Sequence, residues 1–362
     1  MSEIIRFLRF PLAVLIVLLH ARFQSGAIGD VSFSYSRNQY PIYYSLSNIM
    51  SDYICQIAVP LFFLLSGYLF FFNVSSFSWD IYKSKLRRRV HSLLIPYLFW
   101  NSLILLFYIF IQTLFPGLTS GVNKFITSYT LSDWFHAYWD INGGPICLQF
   151  WFIRDLMVIS LLTPILYFLI NKFSYFSVFF IGLLWFLGYY TQITAIEIRP
   201  LFFFSLGALF TIKRFDLLKL CNRLAIPCAL IGLAVMILEL LYYNAYYVDW
   251  FVRYLGKFDR IGILSLMVVC IAGTSWLLKN RVVSINKFLL ESNFFIFAYH
   301  GVTLAFISKI ILKYFAPQTD FQALLTYAFI PTLTIFLGLF IFALLQRYFP
   351  RFTKVIIGAR GN

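Results

Sequence analysis

The stretch Ala323-Leu-Leu-Thr-Tyr-Ala-Phe-Ile-Pro-Thr-Leu-Thr-Ile-Phe-Leu-Gly-Leu-Phe-Ile-Phe-Ala-Leu-Leu-Gln346 contains no charged side chain. As a helix rising 1.5 Å per residue it is roughly 36 Å long. A bilayer's hydrocarbon core is about 30 Å thick and needs ~20 apolar residues to cross. Nine further apolar segments precede it, at 5–22, 54–72, 92–114, 150–170, 176–190, 199–212, 224–241, 260–278 and 293–312. The fifth and sixth are short, which admits a broken, tilted or partly re-entrant course where protein covers the backbone. The whole chain is 61% hydrophobic and 12% charged, against roughly 25% charge in an ordinary soluble domain. That excludes a soluble globule, a disordered chain and a disulfide scaffold. The expected fold is all-α: a polytopic transmembrane bundle of about ten helices, forming one domain over 1–362.

The 29 Lys and Arg outnumber the 14 Asp and Glu, giving a net charge of +15. In a soluble protein such an excess suggests nucleic acid. Here its distribution gives it another meaning. With the N-terminus inside, nineteen basic residues fall at inside ends, eight fall outside, and Arg154 and Lys309 lie within spans. Loops rich in Lys and Arg stay cytoplasmic, so both termini are expected there. Anionic lipid headgroups are the natural partner of this charge, and no nucleic-acid partner is expected. Arg6 and Arg9 before an apolar run ending near His20 resemble a signal peptide. No clear small-x-small cleavage site follows, and nine further apolar segments do, so an uncleaved first helix is expected. The cysteines Cys55, Cys147, Cys221, Cys228 and Cys270 show neither C-x-x-C spacing nor a His partner cluster. Neither a metal site nor a disulfide framework is expected.

Ionisable groups inside a membrane are costly and are usually paired or functional. Arg9 and His20 are eleven residues apart, which places them on one helix face about 16 Å apart along the axis. An arginine fork holds phosphate bidentately, and a histidine serves as general base near neutral pH. A topogenic arginine and an interfacial histidine account for the same pattern. Ser66-Gly67-Tyr68 permits close helix approach and an interhelical hydrogen bond. The basic run Lys83-Ser-Lys85-Leu-Arg87-Arg88-Arg89 suits either lipid headgroups or the phosphates of a nucleotide. Arg154 and Asp155 point about 100° apart on their helix, so they need not pair with each other. His300 lies in mid-span, where a hydrogen-bonded structural role and a chemical one are both open. Glu239 precedes Tyr242, Tyr243, Tyr246 and Tyr247, a cluster that reads as an interfacial aromatic belt or as a surface for stacking sugars.

These pieces occur in an order that resembles a known family. They are Arg9 and His20 of the first helix; Val59-Pro60-Leu61-Phe62-Phe63 with Ser66-Gly67-Tyr68-Leu69; the basic run leading into Pro96-Tyr97-Leu98-Phe99-Trp100; Trp151-Phe152-Ile153-Arg154-Asp155-Leu156 with Pro164; and Phe294-Phe295-Ile296-Phe297-Ala298-Tyr299-His300. The sequence resembles the membrane acyltransferase-3 family of bacterial O-acyltransferases from residue 5 to about 346. The resemblance implies a multi-pass enzyme of the bacterial inner membrane. It would move an acetyl group from cytoplasmic acetyl-CoA to a hydroxyl of a cell-surface glycan or lipid-linked saccharide. The family's functional arginine and histidine fall on Arg9 and His20, and its cytoplasmic basic motif on Arg88 and Arg89. Relatives often carry an acidic residue where this chain has Arg6, and a basic one where it has Ser92. Many also carry a fused extracytoplasmic hydrolase-like domain, which is not expected here.

The resulting expectation places acetyl-CoA against Arg9, Arg88 and Arg89, with no metal involved. The acceptor would approach Trp151, Ser66, Tyr68 and His300. His20 would act as base, Arg154 would orient the acceptor or the oxyanion, and Asp155 would orient its partner. A homodimer is compatible with this arrangement. The rival reading is a non-catalytic transporter or exporter of glycan or glycolipid intermediates, which polar outer loops suit equally well. A structural or sensing membrane protein gains nothing from the order of the motifs.

Overall fold

A computed structural model describes residues 1–28, 31–74, 76–114, 124–141, 143–191, 193–244 and 249–358. The first helix, α1 (Ser2–His20), ends in a small antiparallel hairpin of β1 (Ser25–Ile28) and β2 (Val31–Ser34). Everything else in the described fold is helical or irregular. A proline at its first turn opens α2 (Pro41–Asn48), suiting a position where no backbone N–H is needed. The chain then passes through a wide π turn (Ile49–Ile54) and a tight turn (Cys55–Ile57) straight into α3 (Ala58–Phe71). Ser78 caps α4 (Trp79–Arg89), which continues through a second π turn (Val90–Leu94) into α5 (Ile95–Leu114).

Outside the long helices, α6 (Leu131–Trp139) starts with a reciprocal capping box between Thr130 and Asp133. Lys124 and Thr130 bind the Asp133 carboxylate and hold it well below the usual carboxylate range. Next, α7 (Trp151–Leu161) and α8 (Thr163–Phe173) meet at a 62° bend where Pro164 opens the second helix. Gly188 in the left-handed region, φ 86°, ends α9 (Tyr175–Leu187). The bundle is completed by α10 (Ile198–Ile212), α11 (Leu217–Tyr243), α12 (Asp249–Lys279), α13 (Lys287–Tyr314), α14 (Asp320–Tyr348) and α15 (Pro350–Ile356).

Six helical runs are long and apolar enough to cross a membrane among the described residues, or seven if the bent α7–α8 pair is one span. They are Pro41–Phe71, Trp79–Leu114, Leu217–Tyr243, Tyr254–Lys279, Lys287–Tyr314 and Asp320–Tyr348. The ten segments read from the sequence all fall on helix, but three do not meet that standard. α9 and α10 have 13 and 15 residues. α1 carries Glu3, Arg6 and Arg9 within its 19 residues. Glu3 and Arg6 are exposed at the start of α1, and Arg9 is half-buried where the helix packs among α3, α12, α13 and α14. In contrast α11 buries few residues and turns Ile226, Leu230 and Leu233 outward, as a lipid-facing helix does. α3 and α10 approach closely, and two glycines permit it. A Cβ on Gly67 would meet the Phe204 carbonyl, and one on Gly207 would meet the Leu64 carbonyl.

Candidate functional site

The seam between α1 and α13 gathers Arg9, His20, Asn293 and His300. On α13, Asn293, Phe297 and His300 recur at i, i+4 and i+7, so they share a face. On α1 that seam is met by Ile5, Arg9 and, farther along, His20. Arg9 and Asn293 adjoin at one end, and His20 and His300 at the other, so the two helices run in the same direction.

Three hollows follow the seam. At the basic end a cavity of about 260 Å³ is lined by Arg6, Arg9, Lys287, Glu291 and Asn293, with Lys287 Nζ 3.9 Å from the Glu291 carboxylate. Arg9 and Asn293 also line a waist of about 60 Å³, whose walls include Leu65, Ser66, Phe294 and Phe297. Past Phe297, whose ring centre lies 6.1 Å from that of His300, opens a cavity of about 610 Å³ lined by His20 and His300. Arg22, Gln149 and Lys309 add polar groups to this cavity, and Phe107, Tyr108 and Phe306 add aromatic walls.

The two imidazoles are held in one defined state. His20 Nδ1 lies 2.9 Å from the Ile16 carbonyl oxygen, and His300 Nδ1 lies 2.7 Å from that of Phe297. A carbonyl only accepts, so each neutral ring carries its proton on Nδ1 and leaves Nε2 with a lone pair. His300 is fully buried and its Nε2 has no hydrogen-bond partner. Buried polar atoms are seldom left unpaired. Gln149 Nε2 donates to the Ala298 carbonyl at 2.9 Å, and its amide lies against Gly301, where any side chain would displace it. Two proton acceptors, an amide and two cations around one cavity can orient a hydroxyl and take its proton.

Residues 3–347 match a family described as an acyltransferase domain, acyltransferase-3. The chain belongs to the acyltransferase-3 family. It is also similar to the succinoglycan biosynthesis protein ExoH of Rhizobium meliloti (strain 1021), with 28% identity over 206 residues. That match covers 54% of this chain and 52% of ExoH, so the chain spans about half the length of this curated relative. No solved structure matches.

Within this acyltransferase-3 chain the residues singled out from the sequence separate into groups. Arg9, Ser66, His20 and His300 all line the hollows along the α1–α13 seam. Arg88 and Arg89 end α4 and line none of the three hollows. Arg89 and Lys85 instead stand over the Phe70 ring, at 5.7 and 5.4 Å. Tyr68 lines a separate hollow beside Arg214. Trp151 is half-buried at the start of α7 and does not line the histidine cavity.

Arg154 and Asp155 pair with each other, an arrangement that their helical positions left open. Arg154 Nε and Nη2 lie 3.0 and 2.9 Å from Asp155 Oδ1. Backbone direction sets the Cβ vectors, but the long arginine stem curls back to its neighbour. Arg154 Nη1 also donates to the Trp139 carbonyl at 2.7 Å and to that of Gly143 at 3.4 Å. The pair is 1% and 0% exposed and ties α7 to the segment after α6.

Arg6, Arg22, Gln149, Lys287, Phe297 and Lys309 line the seam without having been assigned a role from the sequence. A signal existed for Arg6, which is three residues before Arg9 and therefore on its face. Another existed for Phe297, which shares a face with His300. Arg22 and Gln149 lie outside the helix periods, where sequence spacing carries no directional information.

Proposed function

We propose that this chain is a membrane O-acyltransferase that moves an acyl group, acetyl in the first instance, from acyl-CoA to a hydroxyl of a glycan or lipid-linked saccharide. The observation that carries this reading is the run of hollows from Arg9 through the Phe297 waist to His20 and His300. The donor enters from the cytoplasm, and Arg6, Arg9 and Lys287 bind its phosphates through charge-assisted hydrogen bonds. Arg88 and Arg89, on the flanking helix, attract it electrostatically from farther off. The narrow, largely apolar waist suits an extended thioester arm. The acceptor occupies the larger cavity on the opposite side of the bacterial inner membrane.

In the transfer, Nε2 of His20 takes the proton of the acceptor hydroxyl as its oxygen bonds to the thioester carbonyl carbon. The carbon–sulfur bond breaks, and the departing thiolate takes the proton back from the imidazolium. General-base action of this kind contributes about 10²–10⁴-fold, and alignment of the two reactants contributes further. Gln149, Arg22 and Lys309 supply donors for the oxygen on which negative charge develops. The relation to a protein named for succinoglycan biosynthesis supports a saccharide acceptor.

A glycan exporter gives no reason for Arg9, His20 and His300 to stand along one seam. The test is purified protein with labelled acetyl-CoA and extracted surface glycan. Transfer by the wild type and its loss in His20→Ala are expected. Undiminished transfer by His20→Ala would remove His20 from the mechanism, and absence of donor turnover by the wild type would remove the reading itself.

A further inference from the structure

A further hollow of about 480 Å³ lies between the segment after α9, the start of α10 and α12. Its lining differs in kind from the lipid-facing surface. Asp52, Glu197 and Asp259 bring carboxyl groups to it, and Arg199 and Arg260 bring guanidiniums. Trp185 closes one wall, while Tyr189 and Tyr190 stand at the rim, 62% and 82% exposed. Arg199 Nη2 donates to the Gln56 carbonyl and side-chain oxygens at 3.2 and 3.3 Å, yet its Nε is buried with no partner. Arg260 Nη1 donates to the Phe186 carbonyl at 2.9 Å, which fixes its fork at the wall.

This hollow adjoins the histidine cavity through one contact. Arg22 lines the histidine cavity and is ion-paired to Asp52, which lines this one. The two side chains remain 25% and 37% exposed, and partly exposed pairs hold only loosely. A ligand reaching from one hollow to the other therefore has a weak partition to cross.

We propose that this hollow is a distal acceptor subsite for a neutral saccharide. It holds sugar units beyond the one that receives the acyl group. The inference rests on the acyl-transfer reading for its purpose and on this lining for its chemistry. Carboxylates accept from sugar hydroxyls, guanidiniums donate to sugar oxygens, and exposed tyrosine faces stack on the apolar side of a pyranose. With Asp52 paired to Arg22, two carboxyls face two guanidiniums, and that balance favours an uncharged ligand.

The test uses the full-length protein in detergent with gluco-, galacto- and N-acetylglucosamine oligosaccharides of one to six units. Equilibrium binding and labelled acetyl-CoA cleavage are measured on the same preparations. In at least one series the wild type is expected to gain about tenfold in affinity as units are added, equivalent to 1.4 kcal/mol. Tyr190→Ala and Glu197→Gln should each abolish that gain, and Tyr190→Phe should keep it. All three leave acetyl-CoA cleavage with the one-unit acceptor unchanged, because that acceptor does not extend into this hollow and neither side chain lines the donor hollows. A length gain that survives both substitutions, or no length-dependent binding across the panel while cleavage is intact, overturns the subsite and leaves the acyl-transfer reading standing. Loss of cleavage in the wild type overturns that reading instead.

Discussion

The imidazoles of His20 and His300 face each other across the α1–α13 seam, with ring centres 5.3 Å apart and planes tilted by 41°. Each ring is anchored through Nδ1 to a carbonyl of its own helix, so both present Nε2 as the free atom. The buried one, His300, has nothing on its Nε2. A purely structural histidine would need Nδ1 alone. His300→Asn keeps a donor near the Nδ1 position and removes Nε2. Acyl transfer is expected to fall about 10²–10⁴-fold in this variant, with acetyl-CoA binding unchanged. Wild-type rates in His300→Asn would show that Nε2 takes no part.

Arg9 stands where the basic cavity meets the waist. A hydrogen bond to a charged group contributes about 1.5–3 kcal/mol, or about 10–100-fold in binding. Arg9→Ala should therefore raise the KM for acetyl-CoA by that factor while leaving acceptor affinity unchanged. Arg9→Lys restores charge without the planar fork and should fall between. A kinetic survey that found acceptor KM moving instead would place the donor elsewhere.

Arg154 and Asp155 form a fully buried ion pair that also fastens the Trp139 and Gly143 carbonyls. Removing one member of a buried pair leaves an uncompensated charge and costs about 3–5 kcal/mol. Arg154→Leu and Asp155→Leu should each lower the melting temperature and the folded yield. Activity per folded molecule should then fall far less than in the histidine variants. If instead a folded Arg154→Leu protein is inactive, Arg154 acts on the reacting atoms as its sequence context suggested.

Much of the bundle was legible because lipid demands apolar surface, and apolar surface is what a sequence displays. The parts that escaped are those shielded from lipid. The first half of the Pro41–Phe71 run lies outside every apolar segment of the sequence, since it carries polar residues such as Ser45, Ser47 and Asn48. Those side chains are buried within the protein, and Ser51 in the following turn donates to the Leu18 carbonyl at 3.1 Å. The Arg9–His20 registry on α1 was readable as helix period. Its completion by His300 was not, because periodicity says nothing about which helices meet. Arg22 entered the site from a non-helical segment after α1, where no period exists to follow.

Gly67 and Gly207 make a reciprocal crossing in which each backbone sits against the other helix's carbonyls. A methyl at either position has no flexible side chain to push aside. Gly67→Ala and Gly207→Ala should each cost about 1–3 kcal/mol by overpacking, seen as a lower detergent melting temperature. The double variant should cost less than the sum, since the first separation relieves the second clash. Strict additivity would mean that the two contacts are independent.

Phe297 separates the donor waist from the histidine cavity. It is 6% exposed, stacks on Phe150 at 5.7 Å and stands edge-on to Phe152 at 5.9 Å. Such a ring excludes water from the thioester until an acceptor hydroxyl is in place, which suppresses hydrolysis. Phe297→Ala opens a cavity between the two hollows, so water should compete with the acceptor. The expected result is a higher ratio of acetyl-CoA hydrolysis to acyl transfer, with Phe297→Leu intermediate. The substitution also destabilises the protein, by about 3–5 kcal/mol for a buried phenylalanine. The ratio is insensitive to that loss, because unfolded molecules contribute to neither product. A ratio equal to the wild type's, measured on the surviving folded fraction, would mean that Phe297 does not divide donor from acceptor.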